Sequence, residues 1–130
     1  MPYQPDTAPQ AEERLDRLMA ALEVNEEALK AAYDEEMAAE EARDAAQRAA
    51  LLSDECPAVG VFGGRRTTVA MQEAWVADRI ASEEHAYRLA VQVRRAADAQ
   101  RRRIEHQLRG AQSINRNASD AAYRAGGRYS

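Results

Sequence analysis

The stretch that decides the fold is residues 11–37, AEERLDRLMAALEVNEEALKAAYDEEM, in which large apolar side chains recur at intervals of three, four or seven. The apolar positions are Leu15, Leu18, Leu22, Leu29, Tyr33 and Met37. Side chains with this spacing lie on one face of an α-helix. The stretch therefore predicts a long helix with a single apolar stripe.

The flanking sequence sets the bounds of this first helix. Thr7 is suited to cap its N-terminus, Gln10 to complete a capping box, and Pro9 falls in the first turn, where its missing N–H costs nothing. Beyond Met37 the stripe consists of alanines, and no further Gly or Pro occurs before Pro57. We predict helix 1 over residues 8–53, preceded by a flexible N-terminus at residues 1–7.

A short segment interrupts the helical pattern at residues 54–66, DECPAVGVFGGRR. Its proline and three glycines predict a loop, with Gly63 and Gly64 forming a turn. Val59, Val61 and Phe62 are apolar, so the segment is either a turn that tucks Phe62 against the helix ends or a single short strand. We favour the turn.

A second helix is predicted over residues 67–122. Thr67 or Thr68 is suited to cap it, and no Gly or Pro occurs before Gly110. Apolar residues again recur at helical spacing, at Val69, Val76, Ile80, Tyr87, Val91, Ile104 and Leu108. Gly126 and Gly127 are expected to lie beyond the helix, in a flexible tail at residues 123–130.

The composition limits how thick a core these helices can share. Leu, Ile, Val and Phe together supply 19 of 130 residues, whereas alanine alone supplies 29. Two helices joined by one loop pack most simply as an antiparallel coiled-coil-like hairpin. Such a hairpin is a single all-α domain over residues 8–122, and its stability alone is marginal. We therefore expect a homodimer that forms a four-helix bundle.

Charge is divided unequally along the chain. Residues 1–60 hold 15 acidic and 5 basic residues, whereas residues 61–130 hold 7 acidic residues and 13 arginines. If a hairpin turns near residue 60, Arg94 and Arg95 lie near Glu26 and Glu27 and form internal ion pairs. Blocks of charge are usually solvated faces. The two halves also suit attraction to each other, within or between chains, or contact with two different partners.

The C-terminal arginines of helix 2 remain as surplus positive charge. The candidate binding residues for nucleic acid or an acidic protein partner are Arg101, Arg102, Arg103, Arg109 and Arg116. Residues seven apart share a helix face, and a row of guanidinium groups can follow a phosphate backbone. The acidic first helix opposes such binding, so any contact with nucleic acid is expected to be weak and independent of sequence.

The sequence contains no recognisable catalytic constellation. His85 and His106 do not form the paired-histidine spacing of a helical metal site, and Cys56 is flanked by acidic residues that blunt it as a nucleophile. We therefore predict a protein that is not an enzyme and uses no cofactor or metal. With no signal peptide and no apolar run long enough for a bilayer, we expect a cytoplasmic protein without membrane contact.

Three short motifs resemble those of helical-hairpin accessory proteins of bacteriophages and prophages, which are often encoded near single-strand-annealing recombinases. They are Ala32-Tyr33 with Met37 in helix 1, Arg66 after a glycine-containing turn, and the segment LRGAQSINR at residues 108–116. The resemblance covers residues 28–117, with a longer interval between Tyr33 and Arg66 and a more acidic helix 1 than in that group. It implies a non-enzymatic adaptor in phage DNA recombination or replication.

Two other classes of interaction protein also fit the sequence. Phage capsid scaffolding proteins are similar in being helical, acidic, oligomeric and basic near the C-terminus, although this chain is short for one. A regulator that binds a host protein through its acidic helix is the third reading. The neighbouring genes, recombinase or capsid, distinguish the first two.

Overall fold

The computed structural model describes residues 8–127, which are mostly helical, and the predicted all-α class is confirmed. The elements run in the order α1 (Ala8–Leu51), β1 (Gly60–Phe62), β2 (Arg65–Thr67), α2 (Val69–Arg79) and α3 (Ala81–Gly127). The predicted flexible N-terminus at residues 1–7 lies outside the described residues, as do residues 128–130 of the predicted tail. None of the helices in the described part is long and apolar enough to cross a bilayer.

The contacts of the chain divide it into two compact units. We call the first the terminal unit; it comprises the described residues 8–30 of α1 and 96–127 of α3. The second, the central unit, is Ala31–Arg95 and contains the end of α1, both strands, α2 and the start of α3.

The terminal unit has a thin core made where α1 packs against α3. Its buried side chains are Ala11, Asn25, Leu29, Ile104 and Ala111. Two of these are alanines and one is an amide, so the apolar area removed from water is small. Hydrophobic stabilisation is roughly proportional to that area, which makes the core of this unit weak for its length.

The core of the central unit lies where the end of α1 meets α2. Ala50, Val76 and Ile80 form the buried cluster, and Cys56 and Trp75 pack against it. Ala50 leaves room for the larger side chains of α2 to approach the α1 backbone closely. The short side chain on α1 therefore complements the two β-branched side chains on the facing helix.

The predicted loop at 54–66 contains a β-hairpin, so the expectation that a turn tucks Phe62 against the helix ends is wrong. β1 and β2 pair antiparallel, with Phe62 opposite Arg65, and the Phe62 side chain is 62% exposed. Gly63 and Gly64 form the two-residue connection with φ values of 57° and 78°. Hairpins favour turns with positive φ at both central residues because these match the twist of the strands, and glycine adopts that conformation without strain.

Helix 2 is not continuous, contrary to the prediction of one helix over residues 67–122. Its first part ends at Arg79, and Ile80 adopts φ −103° and ψ 16° before α3 begins at Ala81. The backbone hydrogen bonds Ile80 to Val76 and Glu84 to Ile80 bracket this break. Neither Gly nor Pro marks the position, and the break coincides with the burial of Ile80 in the central core.

The C-terminal ends of α1 and α3 also differ from the predicted ones. α1 ends at Leu51, two residues before the predicted end, and residues 52–56 continue in turns closed by the hydrogen bonds Leu52 to Arg48 and Cys56 to Ser53. α3 extends to Gly127, five residues past the predicted end. Each glycine in a helix costs only about 1 kcal/mol relative to alanine, so the last turn of α3 can include Gly126 and Gly127. The prediction wrongly treated these two glycines as the point beyond which the helix could not continue.

Candidate functional site

All five predicted binding arginines lie on α3 in the terminal unit, but Arg101 is already engaged within the protein. Its Nε donates to Oε1 of Glu105 at 2.9 Å, and its Nη2 lies 3.5 Å from Oε1 of Glu26 on α1. The hydrogen bond to Glu105 raises the pKa of the Arg101 guanidinium above its ordinary value. Arg101 therefore links α1 to α3, and its charge is largely offset by two carboxylates.

Arg103 is exposed but also has a partner on its own helix. Its Nη2 donates to Oε1 of Gln100 at 2.6 Å. This neutral acceptor leaves the positive charge of Arg103 uncompensated. The side chain is held beside Gln100, which makes it less available than a free arginine for tracking a flexible ligand.

The other three predicted arginines form what we call the arginine row, consisting of Arg102, Arg109 and Arg116. All three are exposed, and none has a hydrogen bond or ion pair to another described residue. They are spaced seven residues apart on α3, so they share one face at intervals of about 10 Å. A single strand rises by about 3.4 Å per nucleotide in duplex geometry, so this spacing suits contacts with roughly every third phosphate.

The positive charge around the arginine row is matched by negative charge elsewhere in the terminal unit. Residues 8–30 carry six acidic and three basic residues, and residues 96–127 carry three acidic and six basic residues. The α3 part is therefore positive and the α1 part is negative by the same amount. A phosphate backbone is attracted to α3 locally and repelled by α1, which keeps the net attraction small at physiological salt.

In the central unit Arg94 is used structurally. Arg94 donates from Nε to Oε2 of Glu36 at 2.7 Å and from Nη2 to Oε1 at 3.2 Å, and its guanidinium lies 5.5 Å from the centre of the Tyr33 ring. The side chains of Arg94 and Glu36 are only 24% and 15% exposed, respectively. This is a bidentate, half-buried ion pair of the kind that fixes the register of two elements.

Two further arginines of the central unit also have carboxylate partners. Arg43 stacks 4.1 Å from the Tyr87 ring and lies 3.9 Å from Oε2 of Glu84, while Arg79 donates to Glu55 at 2.7 Å.

The α1 partner of Arg94 is Glu36, and not Glu26 or Glu27 as the sequence predicted. The end of α1 packs against Val76 in the last turn of α2 and against Ile80, which follows that helix.

One buried polar residue was missed at the sequence level. Asn25 is 6% exposed, and its Nδ2 donates to the carbonyl oxygen of Ala97 at 3.2 Å. Its Oδ1 is buried and has no hydrogen-bond donor among the described residues. The signal was present in the spacing, because Asn25 falls three residues after Leu22 and four before Leu29, within the apolar stripe.

The residues considered for catalysis are dispersed in the structure. His85 and His106 are exposed, and Cys56 is half-buried against the central core with its Sγ 3.8 Å from the carbonyl oxygen of Pro57. Within residues 8–127, no group of three or more His, Cys, Asp or Glu side chains is arranged to hold a metal ion.

Comparison of the chain with protein-family models, with curated proteins and with solved structures finds no match. The resemblance to phage accessory proteins therefore stays a prediction from the residues quoted above.

Proposed function

We propose that this chain is a non-enzymatic interaction protein that presents the arginine row to a nucleic-acid backbone while other surfaces contact protein partners. The observation that carries the proposal is the contrast between two sets of arginines. Arg43, Arg79 and Arg94 are each bound to a carboxylate, whereas the exposed row on α3 is not. An unpaired row of regular spacing is suited to an external anionic polymer.

The biological setting that we propose is phage DNA recombination or replication, in which the protein acts as an adaptor. This part rests on the resemblance of residues 28–117 to phage accessory proteins. Weak, sequence-independent contact with single-stranded DNA is consistent with an adaptor, since it raises the local concentration of a protein partner on DNA without competing with the enzymes that act there.

We also propose that α1 and α3 form an antiparallel hairpin and that the hairpin forms a homodimer. Contacts in the central unit support the first part. In the central unit Glu36 of α1 contacts Arg94 of α3, and Arg43 of α1 contacts Glu84 of α3. Residues later in α1 therefore contact residues earlier in α3, as in an antiparallel pair. The thin cores support the second part, because a second copy would cover apolar surface that one copy leaves in water.

Salt dependence of binding tests the arginine row. With three phosphate contacts on a single strand, the logarithm of the affinity is expected to fall with the logarithm of salt concentration at a slope of about −2, and not the −3.5 or so that five contacts would give. The measurement is fluorescence anisotropy of a labelled single-stranded oligonucleotide between about 50 and 200 mM salt.

The informative variant replaces all three row arginines by glutamine, and the matched control replaces Arg48, Arg65 and Arg66, which are exposed in the central unit. Both variants lose the same charge. The row variant is expected to lose binding and the control to keep both affinity and slope. Equal losses in the two variants would mean that net charge alone matters, and a wild-type protein that binds nothing at about 50 mM salt would end the nucleic-acid proposal.

A second candidate function is structural assembly, as in a phage capsid scaffold. The exposed apolar side chains of the β-hairpin favour it, since Val61 and Phe62 are 68% and 62% exposed at adjacent positions. Apolar groups on a short hairpin are suited to docking on a larger protein surface. In that case Phe62→Ser would abolish co-assembly with the capsid protein and leave oligonucleotide binding unchanged.

A further inference from the structure

The terminal unit carries an uncharged groove that is floored by the buried amide of Asn25. Seven residues line the groove: Ala20, Ala21, Val24, Asn25, Ala28, Gln100 and Ile104. None of them is charged. On a chain in which nearly a third of the residues are charged, a neutral patch shared by two helices is a distinct surface.

The orientation of the Asn25 amide is determined by its one partner. Nδ2 donates to the carbonyl oxygen of Ala97, and a flipped amide would set two acceptor oxygens against each other. Oδ1 is therefore the end without a donor, and it is an acceptor in an uncharged groove. A buried acceptor without a partner is costly, so a donor is expected to reach it in the functional state.

The same groove contains a suitable donor. Oε1 of Gln100 is occupied by Arg103, which leaves its Nε2 group with two N–H donors, and the residue is exposed. We infer that a second copy of this chain docks on this groove about a twofold axis, so that Gln100 of each copy donates to Oδ1 of Asn25 in the other. Exposed side chains above the amide readily change rotamer when an interface forms.

Charge supports a second copy as the occupant. In the terminal unit α1 is acidic and α3 is basic to the same extent. A twofold arrangement that brings Asn25 to Gln100 of the other copy sets each α1 against the other α3, which places opposite charges around a neutral centre. An isologous interface uses one patch twice, and this patch contains both halves of the required hydrogen bond. The inference rests on the homodimer proposed above and names its surface.

Sedimentation equilibrium of Val24→Glu tests the surface. Val24 lines the groove and is 69% exposed, so a charge there is tolerated by one copy and is buried only in the dimer. The matched control is Met19→Glu, since Met19 is 56% exposed on the same helix and does not line the groove. We expect the mass of a dimer for the wild type and for the control, and that of a monomer for Val24→Glu, with equal helicity by circular dichroism.

The outcomes separate this inference from the proposals on which it depends. A wild-type monomer would overturn both the dimer and the groove, whereas a dimeric Val24→Glu would overturn the groove alone. The arginine row is tested separately, by its salt slope. Photo-crosslinking from position 24, in a mixture of isotopically light and heavy chains, is expected to reach residues 96–107 of the second copy. Crosslinks confined to other regions or to one chain would contradict the inference.

A double-mutant cycle tests the hydrogen bond itself. Asn25→Ala and Gln100→Ala are each expected to weaken the dimer about tenfold, and the double variant no more than either single one. Gln107→Ala is the control, because it removes an exposed glutamine from the same helix without reaching Asn25. If the effects of Asn25→Ala and Gln100→Ala simply multiply, the two residues do not meet and the proposed arrangement is wrong.

Discussion

At the scale of single residues, this protein uses arginine in two ways that the sequence does not distinguish. Arg94 is half-buried, bound by two hydrogen bonds to Glu36 and close to the Tyr33 ring. Arg109, fifteen residues further along α3, is exposed. Only the position of an acidic residue on the facing helix decides which arginine is structural. The side chain that is partly removed from water is the one whose loss is expected to be destabilising.

Removal of the acceptor for Arg94 is therefore predicted to destabilise the central unit. Glu36→Ala leaves a half-buried guanidinium without its carboxylate, at a cost of about 1–3 kcal/mol in the free energy of unfolding. Glu35→Ala, at an exposed neighbouring position, is expected to cost less than about 0.5 kcal/mol. Urea denaturation followed by circular dichroism measures both. A similar small effect for the two variants would mean that the ion pair contributes nothing measurable.

Replacement of Asn25 by leucine is predicted to stabilise the fold of one copy and to make the oligomeric state less specific. In the monomeric Val24→Glu background, where no second copy supplies a donor, the change removes a buried unsatisfied acceptor and one hydrogen bond to Ala97, so the free energy of unfolding should rise by no more than about 1 kcal/mol. A polar residue in a helical seam fixes register and oligomeric state, hence its loss should produce a mixture of species. Sedimentation velocity that still shows one species would contradict the specificity role of Asn25.

At the scale of elements, the start of α2 shows how one side chain positions the central core. Thr68 has extended backbone angles, and its Oγ1 accepts from the backbone N–H of Met71 at 3.2 Å. The sequence left Thr67 and Thr68 as alternative caps, and the structure assigns Thr67 to β2. The cap sets where α2 begins, and therefore where Val76 meets Ala50.

Thr68→Ala is accordingly predicted to loosen the first turn of α2. Loss of the capping oxygen costs about 1 kcal/mol, and the effect is local to the N–H groups that the cap protects. Hydrogen exchange of the Met71 amide should become faster by about fivefold. Thr68→Ser keeps the hydroxyl and is expected to exchange at the wild-type rate. Faster exchange in the serine variant as well would point to packing of the threonine methyl group instead of capping.

At the scale of the whole molecule, the described residues bury few large side chains. The buried apolar residues are Ala11, Leu29, Ala32, Ala50, Val76, Ile80, Ala90, Ile104 and Ala111, more than half of them alanine. With so little large apolar surface removed from water, the stability of one copy is marginal, and association is the physical remedy. This is the reason for the proposed homodimer.

The midpoint of thermal unfolding is therefore predicted to depend on protein concentration. A folded dimer that unfolds to separate chains gains stability with concentration, by about 2.7 kcal/mol for a hundredfold increase, which corresponds to a rise of about 5 °C or more in Tm. Val24→Glu is expected to unfold at a midpoint independent of concentration. Circular dichroism melts over that range provide the measurement, and a wild-type midpoint that does not move would contradict association.

The helical class and the extent of α1 followed from the sequence alone. Apolar spacing of three and four, abundant alanine and the absence of Gly or Pro before Pro57 leave the helix as the one regular structure that fits. These signals are local, since each depends on residues within a turn or two. The two strands were also locally encoded, because apolar Val61 and Phe62 precede a Gly63–Gly64 pair that suits a two-residue hairpin turn, and that signal was underweighted.

Tertiary structure alone decided the break at Ile80, the offset between α1 and α3, and the division of the arginines into paired and exposed sets. Ile80 has no neighbour in the sequence that stops a helix, but it is buried against Ala50. Packing within each unit decides the ion pairs, which join Arg94 to Glu36 in the central unit and Arg101 to Glu26 in the terminal unit. Such pairings depend on residues more than fifty positions apart, whose meeting is set by packing geometry and not by local propensity.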